Sequence, residues 1–275
     1  MSSSTQKFAA VVSYKGTRYC GWQRQRGSAA AGNPSIQETI EKALSKITSE
    51  KVAISASGRT DAGVHATGQV MHFKLERKEW DPNKLRLGLG SLLPADIRIL
   101  ALVPVALEFH AQRSAVKKQY SFYFQQGPTE LPHLSSFSWW IRKPLDLDSM
   151  RTALGHLVGE HDFLPFRASG AAPGTTIRTI LEASLQWQPI GFPERVEPGF
   201  GLVRMTVVGT GFLKQMVRGI AGTLLEVGEG RAKASCTVEI LEKKDRSLVG
   251  ATAAPRGLWL EKVWYPEGLF SPFGD

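Results

Sequence analysis

Two periodicities take turns along the first hundred residues, and their order constrains the fold more than any other feature. Residues 8–14 form an apolar, aromatic run closed by Lys15-Gly16-Thr17, which reads as a strand. Ser35 and Glu38 then stand as Ser-x-x-Glu, a capping box. Ile36, Ile40, Ala43, Leu44 and Ile47 share one face of the helix it opens. Residues 52–56 are a short strand candidate. In 70–75, Met71, Phe73 and Leu75 lie on one side of a strand, and Val70, His72 and Lys74 on the other. Asp81-Pro82 starts a second helix running towards Leu93, with proline at its first position. Residues 97–103 are a further strand. The order is β-α-β-β-α-β, the split βαβ arrangement of ferredoxin-like units.

The rest of the chain repeats that order loosely, in elements and not in sequence. A Tyr- and Phe-rich strand spans 117–125, and 136–141 is another candidate. A helix is expected over 148–158, with strands over 176–187 and 201–208. A helix over 213–227 carries Leu213, Met216, Val217, Ile220 and Leu224 on its apolar face. A shorter helix begins near Ser235, and 258–264 closes the chain as a strand. The expected division is an N-terminal α/β half over 1–108 and a C-terminal α/β half over 109–275.

Lys and Arg number 34 against 25 Asp and Glu, a net charge of +9 that favours a polyanionic partner. Two cysteines, Cys20 and Cys236, rule out a disulfide framework. His156 and His161 are five residues apart and do not share a helix face as paired metal ligands would, so no metal is expected. The start of the chain is polar, and no run approaches the 18 or so apolar residues of a membrane span. A soluble cytoplasmic protein is expected.

The chemistry concentrates in Ala56-Ser57-Gly58-Arg59-Thr60-Asp61-Ala62-Gly63-Val64-His65-Ala66, which runs from the end of the 52–56 strand candidate into a loop expected over 57–68. Two glycines permit tight turns and close backbone approach. Asp61 has Arg59 two residues before it, and a nearby guanidinium favours an ionised carboxylate. Such a carboxylate in a basic, loop-built site can act as nucleophile or electrostatic stabiliser. An aspartate among loop glycines is also an ordinary turn former. The residues alone leave both readings open.

Gly58-Arg59-Thr60-Asp61-Ala62-Gly63-Val64-His65-Ala66 with Gly68-Gln69-Val70 resembles the active-site motif of the TruA family of tRNA pseudouridine synthases. Other blocks similar to that family follow in the same order. They are Tyr14-Lys15-Gly16-Thr17 with Gly21-Trp22-Gln23-Arg24-Gln25, Phe109-His110-Ala111 before Lys117-Lys118-Gln119-Tyr120, and Arg178-Thr179-Ile180. Gly211-Phe212-Leu213 with Met216-Val217-Arg218-Gly219-Ile220, Gly222, and Gly257-Leu258-Trp259-Leu260 complete the set. The resemblance covers about Lys7 to Tyr265.

The resemblance implies an isomerase that needs neither metal nor cofactor. It would break the C1′–N1 bond of a uridine in tRNA and rejoin the uracil through C5, in the anticodon stem-loop at positions 38, 39 and 40. Asp61 aligns with the catalytic aspartate, acting by attack at C1′ or by taking a sugar proton. Tyr120 aligns with the active-site tyrosine and would stack on the target base; Phe122 and Phe124, on the same strand face, read as core. Arg218 aligns with an arginine that pairs with the aspartate, and stands four residues after Lys214 on the expected helix. Arg59 resembles the arginine that holds the flipped-out nucleotide. Arg18, Arg24, Arg26, Lys117 and Lys118 flank these segments and suit phosphate contacts. The implied fold is α+β, two RRM-like halves with adjoining antiparallel or mixed sheets and a central basic cleft, in a homodimer.

The sequence departs from the family pattern at three places, of which the longer connection, whose counterpart in the family reaches over the RNA, bears on substrate choice. Lys15 replaces the usual Asp, residues 27–34 form a longer connection, and Gly219 stands where Asn is frequent. A catalytically silent RNA-binding or chaperone module, and a synthase with a different RNA target, are the competing readings. A carboxylate glycosidase is weaker, since such enzymes ordinarily use two carboxylates and the Asp61 segment has one.

Overall fold

The structure is a computed structural model and describes residues 5–24, 32–170, 174–190 and 200–266. It is a mixed α+β fold of mostly antiparallel strands with five α-helices among the described residues. The first part of the chain holds β1 (Gln6–Tyr14), α1 (Ile36–Thr48), β2 (Ser55–Ala56), β3 (His65–Leu75), α2 (Pro82–Leu92) and β4 (Ile97–Pro104). The second holds β5 (Lys117–Gln126), β6 (Trp139–Ile141), α3 (Leu147–Gly155), β7 (Gly159–Asp162), β8 (Ile177–Gln188) and β9 (Gly201–Gly209). Then come α4 (Met216–Gly228), α5 (Cys236–Lys243) and β10 (Leu258–Trp264).

The chain forms two compact units, Met1–Lys117 with Leu260–Asp275, and Lys118–Trp259. Element order alone placed the division after 108 and left the C-terminal segment in the second half. The terminal segment instead closes the first unit. Val116 N–H donates to the Trp264 carbonyl at 2.8 Å, and the Tyr265 hydroxyl donates to the Ala111 carbonyl at 2.7 Å.

In the first unit β1 runs antiparallel to both β3 and β4, and β2 pairs with β3. The spatial order β4-β1-β3-β2 is that of the split βαβ unit. Ser35 caps α1 by accepting from Glu38 N–H at 3.1 Å, and Asp81 caps α2 by accepting from Lys84 N–H at 2.8 Å. One sheet face buries Phe8, Ala10 and Val12, with Phe73 and Met71 opposite them; the Phe8 and Phe73 rings lie 5.6 Å apart. The other face buries Val70 and His72 and exposes only Lys74 of that set. The chain after β4 crosses it, so that Ala9, Val11, Val70, Phe109 and Ala111 form a second apolar cluster with Tyr265 packed against it.

In the second unit the order is β5-β9-β8-β7, all antiparallel, with β6 parallel on β5. β5, β9 and β8 stand in the relative order of β1, β3 and β2, which gives the loose repeat a structural counterpart. The helix expected from Leu213 begins at Met216. Gln215 takes the left-handed conformation, φ 61°, and ends the preceding turn first. Lys214 therefore lies outside the helix and does not share a helical face with Arg218.

Candidate active site

The loop between β2 and β3 covers 57–64, and β3 starts at His65, inside the stretch expected to be loop. Gly68 sits within that strand because the chain at Glu261 passes close by; a Cβ there would lie 2.0 Å from the Glu261 carbonyl oxygen. Buried Gln69 holds the base of the loop. It accepts from the Ser57 hydroxyl at 2.7 Å and donates to the Gly58 carbonyl at 2.8 Å.

Thr60 anchors the loop's crest. Its Oγ1 lies 2.8 Å from the Tyr14 hydroxyl, and its carbonyl accepts from Trp22 N–H at 3.0 Å. Burial pushes the Tyr14 phenol up to about 12, so it keeps its proton. Gly21, at φ 106°, passes so close that a Cβ would lie 2.7 Å from the Thr60 carbonyl oxygen. Gly16 donates its N–H to His65 Nδ1 at 3.1 Å, and a Cβ there would lie 1.9 Å from the Val64 carbonyl oxygen. Past Thr60 the chain turns, with Val64 N–H donating to the Asp61 carbonyl at 3.2 Å and Gly63 at φ 78°.

With Thr60 buried, its neighbours face outward: Arg59 is exposed and Asp61 half-buried. The Asp61 backbone is thereby held in place. Tyr14, Gly16, Gly21 and Trp22 belong to the first sequence block and had been given no role; Thr60 and Gln69 had none either. The signal was their presence in the motifs, but their mutual contacts span up to 49 residues of chain.

In the second unit Tyr120 pairs with Val207 across β9 and is buried, edge-on to Phe212 at 5.1 Å. Phe122 and Phe124 are fully buried, as core. Arg218 is the third residue of α4 and half-buried. Its Nε donates to the Ala253 carbonyl at 2.8 Å, and Ala253 N–H returns a bond to the Arg218 carbonyl at 3.1 Å. Gly222 permits this seating, since a Cβ would lie 1.7 Å from the Ala251 carbonyl oxygen. No acidic residue stands in the first turn of α4, so Arg218 and the helix's positive end both favour an anion.

Two of the expected phosphate contacts are committed elsewhere. Arg18 pairs with Asp96 at 2.6 Å, where the Tyr19 hydroxyl also donates, and Arg24 pairs with Glu41. Arg26, with most of the 27–34 connection, lies outside the described residues. The Lys117 ammonium sits 4.8 Å from the Trp264 ring, and burial pushes the Lys118 amine down to about 8. Among the described residues no group of three His, Cys, Asp or Glu is placed to hold a metal, and no helix is long and apolar enough to cross a membrane.

The model of a family described as tRNA pseudouridine synthase matches residues 10–112 and 153–266. The tRNA pseudouridine synthase A of Streptococcus equi subsp. equi is 39% identical over 262 residues, covering 95% of this chain and 99% of the relative. That of Bdellovibrio bacteriovorus is 38% identical, covering 96% and 97%, and that of Pseudomonas aeruginosa 39%, covering 96% and 87%. A solved archaeal box H/ACA sRNP Nop10-Cbf5 complex covers 90% of this chain and 59% of its own, at 11% identity and a TM-score of 0.30, too slight a likeness to add to the assignment. This chain belongs to the tRNA pseudouridine synthase family.

Proposed function

We propose that this protein isomerises uridine to pseudouridine in tRNA, at anticodon-arm positions 38, 39 and 40, with Asp61 as its catalytic carboxylate. The observation that carries the reading is the Asp61 loop: it lies within the stretch matched by the family model, and its backbone is clamped through Thr60. Catalysis by positioned charge needs such preorganisation, because a group already in place costs nothing to reorganise during reaction.

The reaction keeps all its atoms. The C1′–N1 bond breaks, a C1′–C5 bond forms, C5 loses a proton and N1 gains one. Asp61 serves the breaking step, by attack at C1′ or by taking a sugar proton. Arg59 holds the extruded nucleotide, which must leave the stack at a cost of a few kcal/mol. Tyr120 stacks on the base, and Arg218 pairs with the carboxylate and orients it. The protein acts as a cytoplasmic homodimer.

The test is incubation of purified protein with an unmodified tRNA transcript, followed by mapping of pseudouridine. Product at 38, 39 or 40 supports the reading. Product elsewhere moves the target, and tight binding without product favours an RNA-binding module. Sedimentation at micromolar concentration tests the dimer, and a monomer contradicts it.

A further inference from the structure

The first unit gathers positive charge on the sheet face crossed by the chain after β4. Lys7 and Lys74 are direct partners across β1 and β3, and His72 lies opposite Ala9, so the three side chains share that face. The His110 ring packs on His72 at 4.7 Å between centroids. The Lys7 amine donates to the Leu107 carbonyl at 2.6 Å. Arg113 and Lys74 are exposed.

Backbone bonds set both imidazoles. His72 Nδ1 accepts from Ala111 N–H at 3.1 Å, and His110 Nδ1 accepts from Gln112 and Arg113 N–H at 3.2 and 3.3 Å. An accepting Nδ1 carries no proton, so in each neutral ring Nε2–H is the donor. The groups facing this cluster are Lys7 from β1, His72 and Lys74 from β3, and Glu108, His110 and Arg113 from the crossing segment, with Tyr265 hydrogen-bonded to that segment. Only Glu108 among them is acidic.

We propose that Lys7, His72, Lys74, His110 and Arg113 form a phosphate-binding subsite that holds a backbone phosphate of the substrate RNA. The proposal rests on the tRNA reading for the identity of the polyanion. Lys7 stands seven rises before Tyr14 on β1, about 23 Å at roughly 3.3 Å per residue, so the Lys7 end of the subsite grips RNA away from the reacting uridine. Such a contact fixes register without reading sequence. Burial, then the charges of Lys7 and its neighbours, hold His72 at about 4; burial, then Arg113 and Lys7, lower His110. A bound phosphate replaces that repulsion with attraction, so His110 gains a proton more readily in the complex.

The test has two arms, both on the full chain. Inorganic phosphate is titrated while the ring protons of His72 and His110 are followed by NMR. Saturable shifts of both, with the His110 midpoint moving upward, are expected. Separately, binding of unmodified tRNA transcript is measured against salt for Lys74→Gln and Arg113→Gln, both surface changes. Each is expected to weaken binding several-fold and to reduce the log–log salt slope by about 1. Lys46→Gln, on exposed α1 surface, is expected to keep the wild-type slope. Unmoved histidine rings, or wild-type slopes in both variants, overturn the proposal. If both arms give the expected effects but wild-type protein makes no pseudouridine, the subsite is retained and the reaction is refuted.

Discussion

The Tyr14 hydroxyl lies 2.8 Å from Thr60 Oγ1, and the two residues stand 46 apart in sequence. Both are buried, so neither has water as a ready substitute. The bond joins the end of β1 to the residue immediately before Asp61. Tyr14→Phe keeps the ring and removes the bond. A stability loss of about 1–2 kcal/mol is expected from the stranded hydroxyl. A fall in kcat of about tenfold is expected too, about 1.4 kcal/mol of transition-state stabilisation, with little change in KM. Thermal melting and steady-state kinetics check the two numbers; equal loss in kcat and KM contradicts a positioning role.

That pair also marks what the sequence could and could not disclose. Local signals were readable: the Ser35–Glu38 cap, Asp81-Pro82, and the alternation of Met71, Phe73 and Leu75. Each depends on neighbours within four residues. The start of α4 was not readable, because Leu213 fits the apolar stripe while the left-handed Gln215 leaves no compositional mark. β3 was started late, since Gly68 reads as a breaker until the close passage of Glu261 is seen. Asp61 and Arg59 stood out in the glycine loop with two readings open; the choice between them, and Tyr120 and Arg218, came from resemblance, and their joint action is a matter for experiment. The clamps on the Asp61 loop, and the pairing of Arg18 with Asp96, are long-range contacts that no local pattern encodes.

The close approach of α4 to the chain at Ala251 gives a pair of contrasting glycine substitutions. Gly222→Ala drives a Cβ to 1.7 Å from a backbone oxygen, and something must shift. A loss above about 3 kcal/mol is expected, in the range typical of core overpacking and strain. Activity falls with it, because the Arg218–Ala253 clasp is part of the same seat. Gly219→Ala meets Phe166 at 3.4 Å, an ordinary contact, and alanine favours the helix by up to about 1 kcal/mol. Urea unfolding of both variants should separate them clearly.

His72 predicts an acid-sensitive fold. Burial and surrounding cations hold it at about 4, against 6.5 unperturbed. Between those values the unfolded chain binds more protons than the folded one, so stability rises with pH across that window. It is lost progressively as pH falls from about 6.5 towards 4. His72→Gln should flatten this part of the stability–pH curve. A curve unchanged in slope contradicts the assignment to His72.

Arg218→Lys keeps the charge and loses the planar fork that also serves Ala253. A fall in kcat of about a hundredfold is expected, with tRNA affinity within a few fold. Single-turnover assays with saturating enzyme check it, and wild-type turnover contradicts an Arg218–Asp61 partnership.

The central claim is that Asp61 is the catalytic carboxylate, and Asp61→Asn tests it most directly. Asparagine matches aspartate in shape, but it is neutral and has an NH2 donor in place of one carboxylate oxygen. The measurement is pseudouridine formed in an unmodified tRNA transcript under single-turnover conditions, alongside the affinity of the same preparation for that tRNA. The account predicts no detectable product and an affinity within a few fold of wild type. Product formed at the wild-type rate would contradict it, and would return Asp61 to the role of a turn residue in a well-clamped loop.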